Sequence, residues 1–228
     1  MGQVGGPNIV TSGLLVALDA SNFKSYTGTG NTILDLLSSA NGLINGTITF
    51  SSVGASSYFN FATASSANFI SSTVSQAYVD CTIVIQPDFT LNSNAGLVGV
   101  IAASNDTTNT DKSMRFAGGT NPGPWTVISG GTINTDDWGY ASTTYYINGS
   151  AVAHGASLNS GWNIIGAYRT NQSTFPASFA YFLGTEGYSG GVRDFQGRIA
   201  AVFLYGRQLT AAEHARNYNA LKGRYGLT

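Results

Sequence analysis

The sequence predicts an all-β protein: a two-sheet antiparallel β-sandwich closed by one short C-terminal α-helix. Three observations predict it. About a dozen short β-branched or aromatic runs recur along the chain, with Gly, Asn, Ser or Pro between them. Asn148-Gly149 stands between Tyr145-Tyr146-Ile147 and Ser150-Ala151-Val152, which is the signature of a type I′ hairpin. A single stretch reads as a helix, and it comes at the end of the chain. With 228 residues the chain suits one large domain; a domain of that size buries roughly 70 % of its unfolded surface and needs no staples. The expected division is an arm over 1–12 and a single sandwich over 13–228.

The elements follow in order. Residues 1–12 are rich in Gly and include Pro7 and Ile9. Leu14-Leu15-Val16-Ala17-Leu18 is a strand ending at Asp19. Phe59 and Phe61 alternate as in a half-buried strand, and Asn68-Phe69-Ile70 begins another. Tyr78 to Phe89 is a long β-branched run that ends near Pro87, and Gly96 to Ala102 is a further apolar strand. Asn105 to Lys112 reads as a long polar loop. Trp162 to Ala167 is the strand after the hairpin, and Ser173 to Gly191 reads as an irregular, aromatic-rich excursion. Ile199 to Tyr205, between Gly197 and Gly206, has the length and composition of a buried strand. Thr210-Ala211-Ala212-Glu213 is a capping box, in which hydroxyl and carboxylate each bond the other residue's amide. Ala215, Tyr218 and Leu221 continue a helical stripe until Gly223 offers a C-cap.

Composition removes several function classes. Lys and Arg total 10, scattered, and the formal net charge is −1. Nucleic-acid affinity needs clustered cations to neutralise phosphates, so no nucleic-acid partner is expected. No apolar run approaches the ~20 residues that span a bilayer, so no membrane span is expected either. Met1-Gly-Gln-Val-Gly-Gly-Pro lacks a basic segment and an apolar segment of the secretory kind, and Gly6 breaks the myristoylation pattern. Cys81 is the sole cysteine, so no intrachain disulfide forms; within Asp80-Cys-Thr-Ile-Val-Ile85 it reads as a small buried hydrophobe.

The closing unit resembles the laminin-G-like, concanavalin A-like β-sandwich family. That family's pattern is roughly G-x-I-x-x-V-x-I-Y-x-R-x-L-(S/T)-x-x-E, matched here by Gly197, Ile199, Val202, Leu204, Tyr205, Arg207, Leu209, Thr210 and Glu213. The opening is similar to a subset common in tailed-bacteriophage proteins, G-G-P-x-I-V-T followed by G-L-V-x-x-L-D-A-x-N-x-x-S-Y. Gly5, Gly6, Pro7, Ile9, Val10, Thr11, Gly13, Leu14, Leu18, Asp19, Ala20, Asn22, Ser25 and Tyr26 match it, while Ile33 replaces the family's Trp before Asp35-Leu36. The resemblance implies a concanavalin A-like jelly roll over nearly the whole chain.

Glycoside hydrolases share that fold, and their chemistry makes a specific demand on carboxylates. The retaining route needs two carboxyls about 5–5.5 Å apart, which these enzymes place at alternate positions of a strand. The only glutamates are Glu186 and Glu213, the latter taken by the capping box, and adjacent Asp136 and Asp137 would point to opposite faces. His154 and His214 follow no Gly-x-Ser-x-Gly elbow. Gly28-Thr29-Gly30 precedes no helix pattern and reads as a turn. The chain is therefore expected not to be an enzyme, glycoside hydrolysis being the weaker alternative. No cofactor is expected. The resemblance raises calcium at a rim, but the corresponding segment, Ala62 to Ile70, carries no acid; Asp106 and Asp111 are the remaining candidate ligands. For carbohydrate, an aromatic platform beside polar groups is required; Trp125 and Trp138 next to Asp136 and Asp137 are the candidates, with packing as the competing role.

Where relatives carry charge on the closing strand, this chain has Ala200, Ala201 and Phe203. A strand apolar on both faces needs cover on both. The cover could come from the helix, the arm or another subunit. Assembly is the favoured reading, which makes Phe203, Ala201, Pro7 and Ile9 candidate interface residues. The resemblance implies a virion structural protein made in the host cytoplasm and exposed on the particle, taken as a complete short product. Capsid decoration is the expected role, with the major capsid protein and copies of itself as partners, as a trimer. Adhesion to host surface glycans is the alternative.

Overall fold

The computed structural model describes residues 8–63, 65, 67–74, 80–88, 99–103, 112–115, 127–129, 132–134, 143–153, 156–169, 179–184 and 195–228. In chain order the strands are β1 Leu14–Asp19, β2 Thr32–Ile33, β3 Gly42–Asn45, β4 Thr49–Ser51, β5 Tyr58–Phe61 and β6 Phe69–Val74. Next come β7 Asp80–Pro87, β8 Gly99–Ala103, β9 Lys112–Arg115, β10 Val127–Ser129, β11 Thr132–Asn134 and β12 Thr143–Ile147. The series ends with β13 Ser150–Val152, β14 Ala156–Ser157, β15 Asn163–Arg169, β16 Phe179–Leu183 and β17 Gly197–Tyr205, followed by helix α1, Ala211–Leu221. The fold is the all-β sandwich with one C-terminal helix that the sequence predicts. The expected excursion after Ser173 contains a strand, β16, which pairs with β6 and β8.

The larger sheet runs β13-β12-β15-β7-β17-β5-β4, and the second runs β2-β3-β6-β16-β8-β9; β10, β11 and β14 form a small third sheet. β17 is the axis of the first. β7 follows its whole length on one side, while on the other β5 pairs with Gly197–Ile199 and β1 with the half from Ala201 to Tyr205. A register shift between Ile199 and Ala201 inserts one residue. Such a bulge changes which side chains face which way. Ile199, Val202 and Leu204 therefore enter the core between the sheets, whereas Ala201, Phe203 and Tyr205 face outward. The inner core joins Val16, Phe59, Phe61, Ile83, Ile85 and Ile165 to Ile33, Ile70 and Leu183 of the second sheet. Ile33, standing where the family has Trp, is fully buried there, as is Cys81, whose thiol burial pushes well up.

The outward face of β17 is covered from within the chain. Phe203 and Ala201 are each 2 % exposed, beneath Leu221 and Tyr225 of the C-terminal segment, Leu209 before it, and Val10 of the arm. The subunit interface expected at Phe203 and Ala201 is thereby corrected: the chain's own ends supply the missing cover. The same contacts tie residues 8–12 to the domain rather than leaving them as a free arm. Ile9 is half-buried against this outer core, and Pro7 lies outside the described residues.

Local chemistry places α1. The capping box forms at Thr210 and Glu213. The helix ends at Leu221 and tightens into a 3₁₀ turn, Lys222–Tyr225; the left-handed residue is Gly226 (φ 67°), not Gly223. The hairpin forms at Asn148 (φ 51°) and Gly149 (φ 80°), the two positive dihedrals a type I′ turn needs. A Cβ on Gly149 would meet Tyr218 at 2.9 Å, so α1 rests directly on this turn.

Candidate functional site

The candidate carbohydrate residues Trp125, Trp138, Asp136 and Asp137, and the candidate calcium ligands Asp106 and Asp111, lie outside the described residues, as do Glu186 and His154. Among the described residues, no group of three or more His, Cys, Asp or Glu gathers as a metal site would. At the rim where the resemblance raised calcium, buried Asn68 joins two loops instead. Its Oδ1 accepts the Thr47 amide (2.7 Å), and its Nδ2 donates to the Thr63 carbonyl (3.1 Å).

Asp19, Asp35 and Glu213 are each held by structural partners. Asp19 holds Arg224 through two contacts, 2.8 and 2.6 Å, which docks the 3₁₀ turn on the end of β1. Asp35, buried, accepts the amides of Ala17, Leu37, Ser39 and Ala40 and the Ser39 hydroxyl, closing the free edge of β1. Glu213 binds Arg207 (2.9 and 2.5 Å) and the Thr210 amide (2.9 Å), and the Arg207 bond is the main cause of its depressed pKa, about 2.

Asp80 and His214 form the pair that most resembles catalytic machinery. His214 Nε2 lies 3.3 Å from Asp80 Oδ2, angled out of a hydrogen bond, while Oδ2 accepts the Leu209 amide at 2.7 Å. Both side chains are buried, and α1 itself roofs them. The imidazole stacks on Tyr146, with centroids 3.8 Å apart, and a Cβ on Gly166 would fall 2.4 Å from its Nδ1. Stacked on Tyr146 and seated over Gly166, the imidazole anchors α1 to the sheet. Burial raises the Asp80 carboxyl above its ordinary value, against the opposing pull of His214 and the Leu209 and Cys81 amides.

Beside this pair, Asn217 joins four elements. Its Oδ1 accepts the Val10 amide (2.7 Å); its Nδ2 donates to Thr82 Oγ1 (2.9 Å) and the Tyr205 hydroxyl (3.0 Å). Tyr205 in turn donates to the Val10 carbonyl (3.1 Å). Arg216 donates to the Asn8 carbonyl (2.8 Å) and Arg207 to that of Ser12 (3.0 Å). Residues 8–12 are thus held at three alternate carbonyls, Asn8, Val10 and Ser12, and at the Val10 amide.

Past the end of α1, the outer face of the larger sheet turns polar. Arg198 is paired in register with Gln86 on one side and Asn60 on the other, and Thr49 is paired with Asn60. The pairing of Asn163 with Ile85 brings Trp162 beside Gln86. Arg198, Gln86, Asn60 and Trp162 are half-buried, and Thr49 is exposed. Arg198 donates to Gln86 Oε1 (2.9 Å) and lies 4.7 Å over the Tyr58 ring. Trp162 leans on Tyr58 (5.7 Å) and Tyr225 (5.0 Å). The sequence reading placed Trp162 in a strand without assigning it a ligand. The available signal was strand parity: Tyr58, Gln86 and Arg198 alternate with Phe59, Ile85 and Ile199.

No family model matches the sequence, and no curated protein matches it. Among solved structures, the chain is similar to a Trypanosoma rangeli sialidase in complex with sialic acid, with TM-score 0.51 and 13 % identity over 95 % of this chain and 36 % of that one. It is also similar to domain 4 of a GH43 extracellular arabinanase from Geobacillus stearothermophilus in complex with arabinotriose (TM-score 0.47, 14 % identity, 90 % of this chain and 98 % of that one). The chain spans about a third of the sialidase's length, and the likeness is one of fold.

Proposed function

We propose that this chain is a non-enzymatic structural protein of a tailed-phage particle, made in the host cytoplasm and carried on the virion surface, with capsid decoration as its role. The observation that carries the reading is that the two stretches with the phage-type and family resemblance form one physical unit. Val10 of the opening bonds Tyr205 of the closing strand, and Asp19 bonds Arg224 just past it. A body whose ends fasten to each other suits a surface component. Its partners on this reading are the major capsid protein and further copies, as a trimer. Their contacts would fall on exposed apolar side chains such as Phe23 (75 % exposed), Leu34, Leu36 and Leu37, not on Phe203. Immunogold electron microscopy of intact particles tests it, with label expected across the capsid. Unlabelled particles, or reducing-end release from polysaccharides by the purified protein, would overturn it.

A second reading, adhesion to host surface glycans, is favoured by the polar and aromatic row on the outer sheet face. The two readings are compatible on one particle surface.

A further inference from the structure

We propose that the row formed by Trp162, Tyr58, Arg198, Gln86 and Asn60 is a binding site for acidic glycans, that is, sugars bearing a carboxylate. The inference rests on the adhesion reading and gives it a place and a ligand class. Three observations converge. First, the aromatic part is held in place: Trp162 packs on both Tyr58 and Tyr225, and Tyr58 lies under Arg198. A ring already fixed in this way loses little conformational freedom on binding.

Second, the row has hydrogen-bonding capacity left over. Among the described residues the Trp162 indole N–H and the Asn60 amide have no hydrogen-bond partner, and Gln86 uses its oxygen on Arg198, leaving its NH₂ free. A sugar ring presents an apolar C–H face and a rim of hydroxyls, which an aromatic ring beside planar amides matches.

Third, the charge selects the sugar. Arg198 bonds an amide oxygen and an aromatic face, and among the described residues it makes no ion pair. Arg207 and Arg224, by contrast, are each matched to a carboxylate. A guanidinium carries five donors in a planar fork suited to a carboxylate. A neutral sugar would leave that charge unanswered, and an acidic one would complete it.

The test is a glycan array carrying uronic- and sialic-acid sugars beside their neutral counterparts, probed with wild type, Trp162→Ala, Asn60→Ala and Arg198→Gln. Thermal melts confirm that each variant is folded; Asn60→Ala, which removes no packing from the outer core, stands in if Trp162→Ala unfolds. Wild type is expected to prefer the acidic members. Arg198→Gln should weaken that binding about tenfold or more, as expected for a lost charge-assisted bond, and Trp162→Ala or Asn60→Ala should weaken it as well. Binding untouched by all three variants would overturn this site while leaving the adhesion reading standing. A preference for neutral sugars would overturn the ligand class, and a wild type that binds no glycan would overturn both.

Discussion

Replacing Asn217 by Ala removes one side chain and disconnects four elements. Asn217 is fully buried, and its amide serves the Val10 N–H, Thr82 and Tyr205 at once. Tyr205 keeps the Val10 carbonyl as an acceptor, and the Thr82 hydroxyl is free to rotate. The Val10 N–H has no such recourse, because Val10 is itself buried and its backbone is pinned at Asn8 and Ser12. An orphaned buried group costs roughly 1–3 kcal/mol, and the space left by the side chain adds to it. The expected loss is therefore about 3 kcal/mol, in the range of a broken buried network. In a domain of this size that lowers Tm by about 6–12 °C. Urea denaturation at constant m-value measures it, and hydrogen exchange at residues 8–12 locates it. If stability falls by less than about 0.5 kcal/mol and exchange at Val10 is unchanged, the arm is not held in the way the geometry implies.

Three further predictions address the same seam. Phe203→Ala should cost about 3–5 kcal/mol, a core value, while gel filtration shows no change in assembly state; a change in assembly with stability intact would restore the interface reading. Glu213, with its folded pKa depressed to about 2, contributes stability that is present above the unfolded carboxyl value and lost as pH falls through its folded one. Its partly exposed setting limits this to about 1 kcal/mol. Urea midpoints measured across that acid window should show the loss in wild type and not in Glu213→Gln. Asp80 has the opposite sign, because its raised pKa means that folding favours the protonated form and its contribution improves as pH falls. Asp80→Asn keeps an acceptor for the Leu209 amide and should cost less than about 1 kcal/mol, whereas Asp80→Ala orphans that amide and should cost about 1–3. Equal losses from both, measured by denaturation, would contradict this account of the pair.

What was legible in the sequence is what short spacing determines. The capping box and the Asn-Gly turn need only neighbours within a few residues, and both form as read. Strand β17 was legible as buried on both faces, because Ala200, Ala201 and Phe203 left no polar face. What covers it was not legible. Val10 and Leu221 reach Phe203 only through the topology, and Asn217 looks like any polar helix residue until Val10 is placed against it. How residues 8–12 are held was not legible for the same reason: Gly and Pro content signals irregular backbone and is silent on whether side chains elsewhere hold that backbone. The polar row depends on register across four strands, since Trp162, Gln86, Arg198 and Asn60 share no stretch of sequence. The C-cap moved from Gly223 to Gly226 because the 3₁₀ turn that docks Arg224 on Asp19 prolongs the helical path.

If this sandwich is a component of the particle surface, it co-purifies with virions. Quantitative mass spectrometry of purified virions tests it most directly. This chain is expected in fixed proportion to the major capsid protein. Its absence from purified particles, with abundant protein free in the lysate, would contradict it.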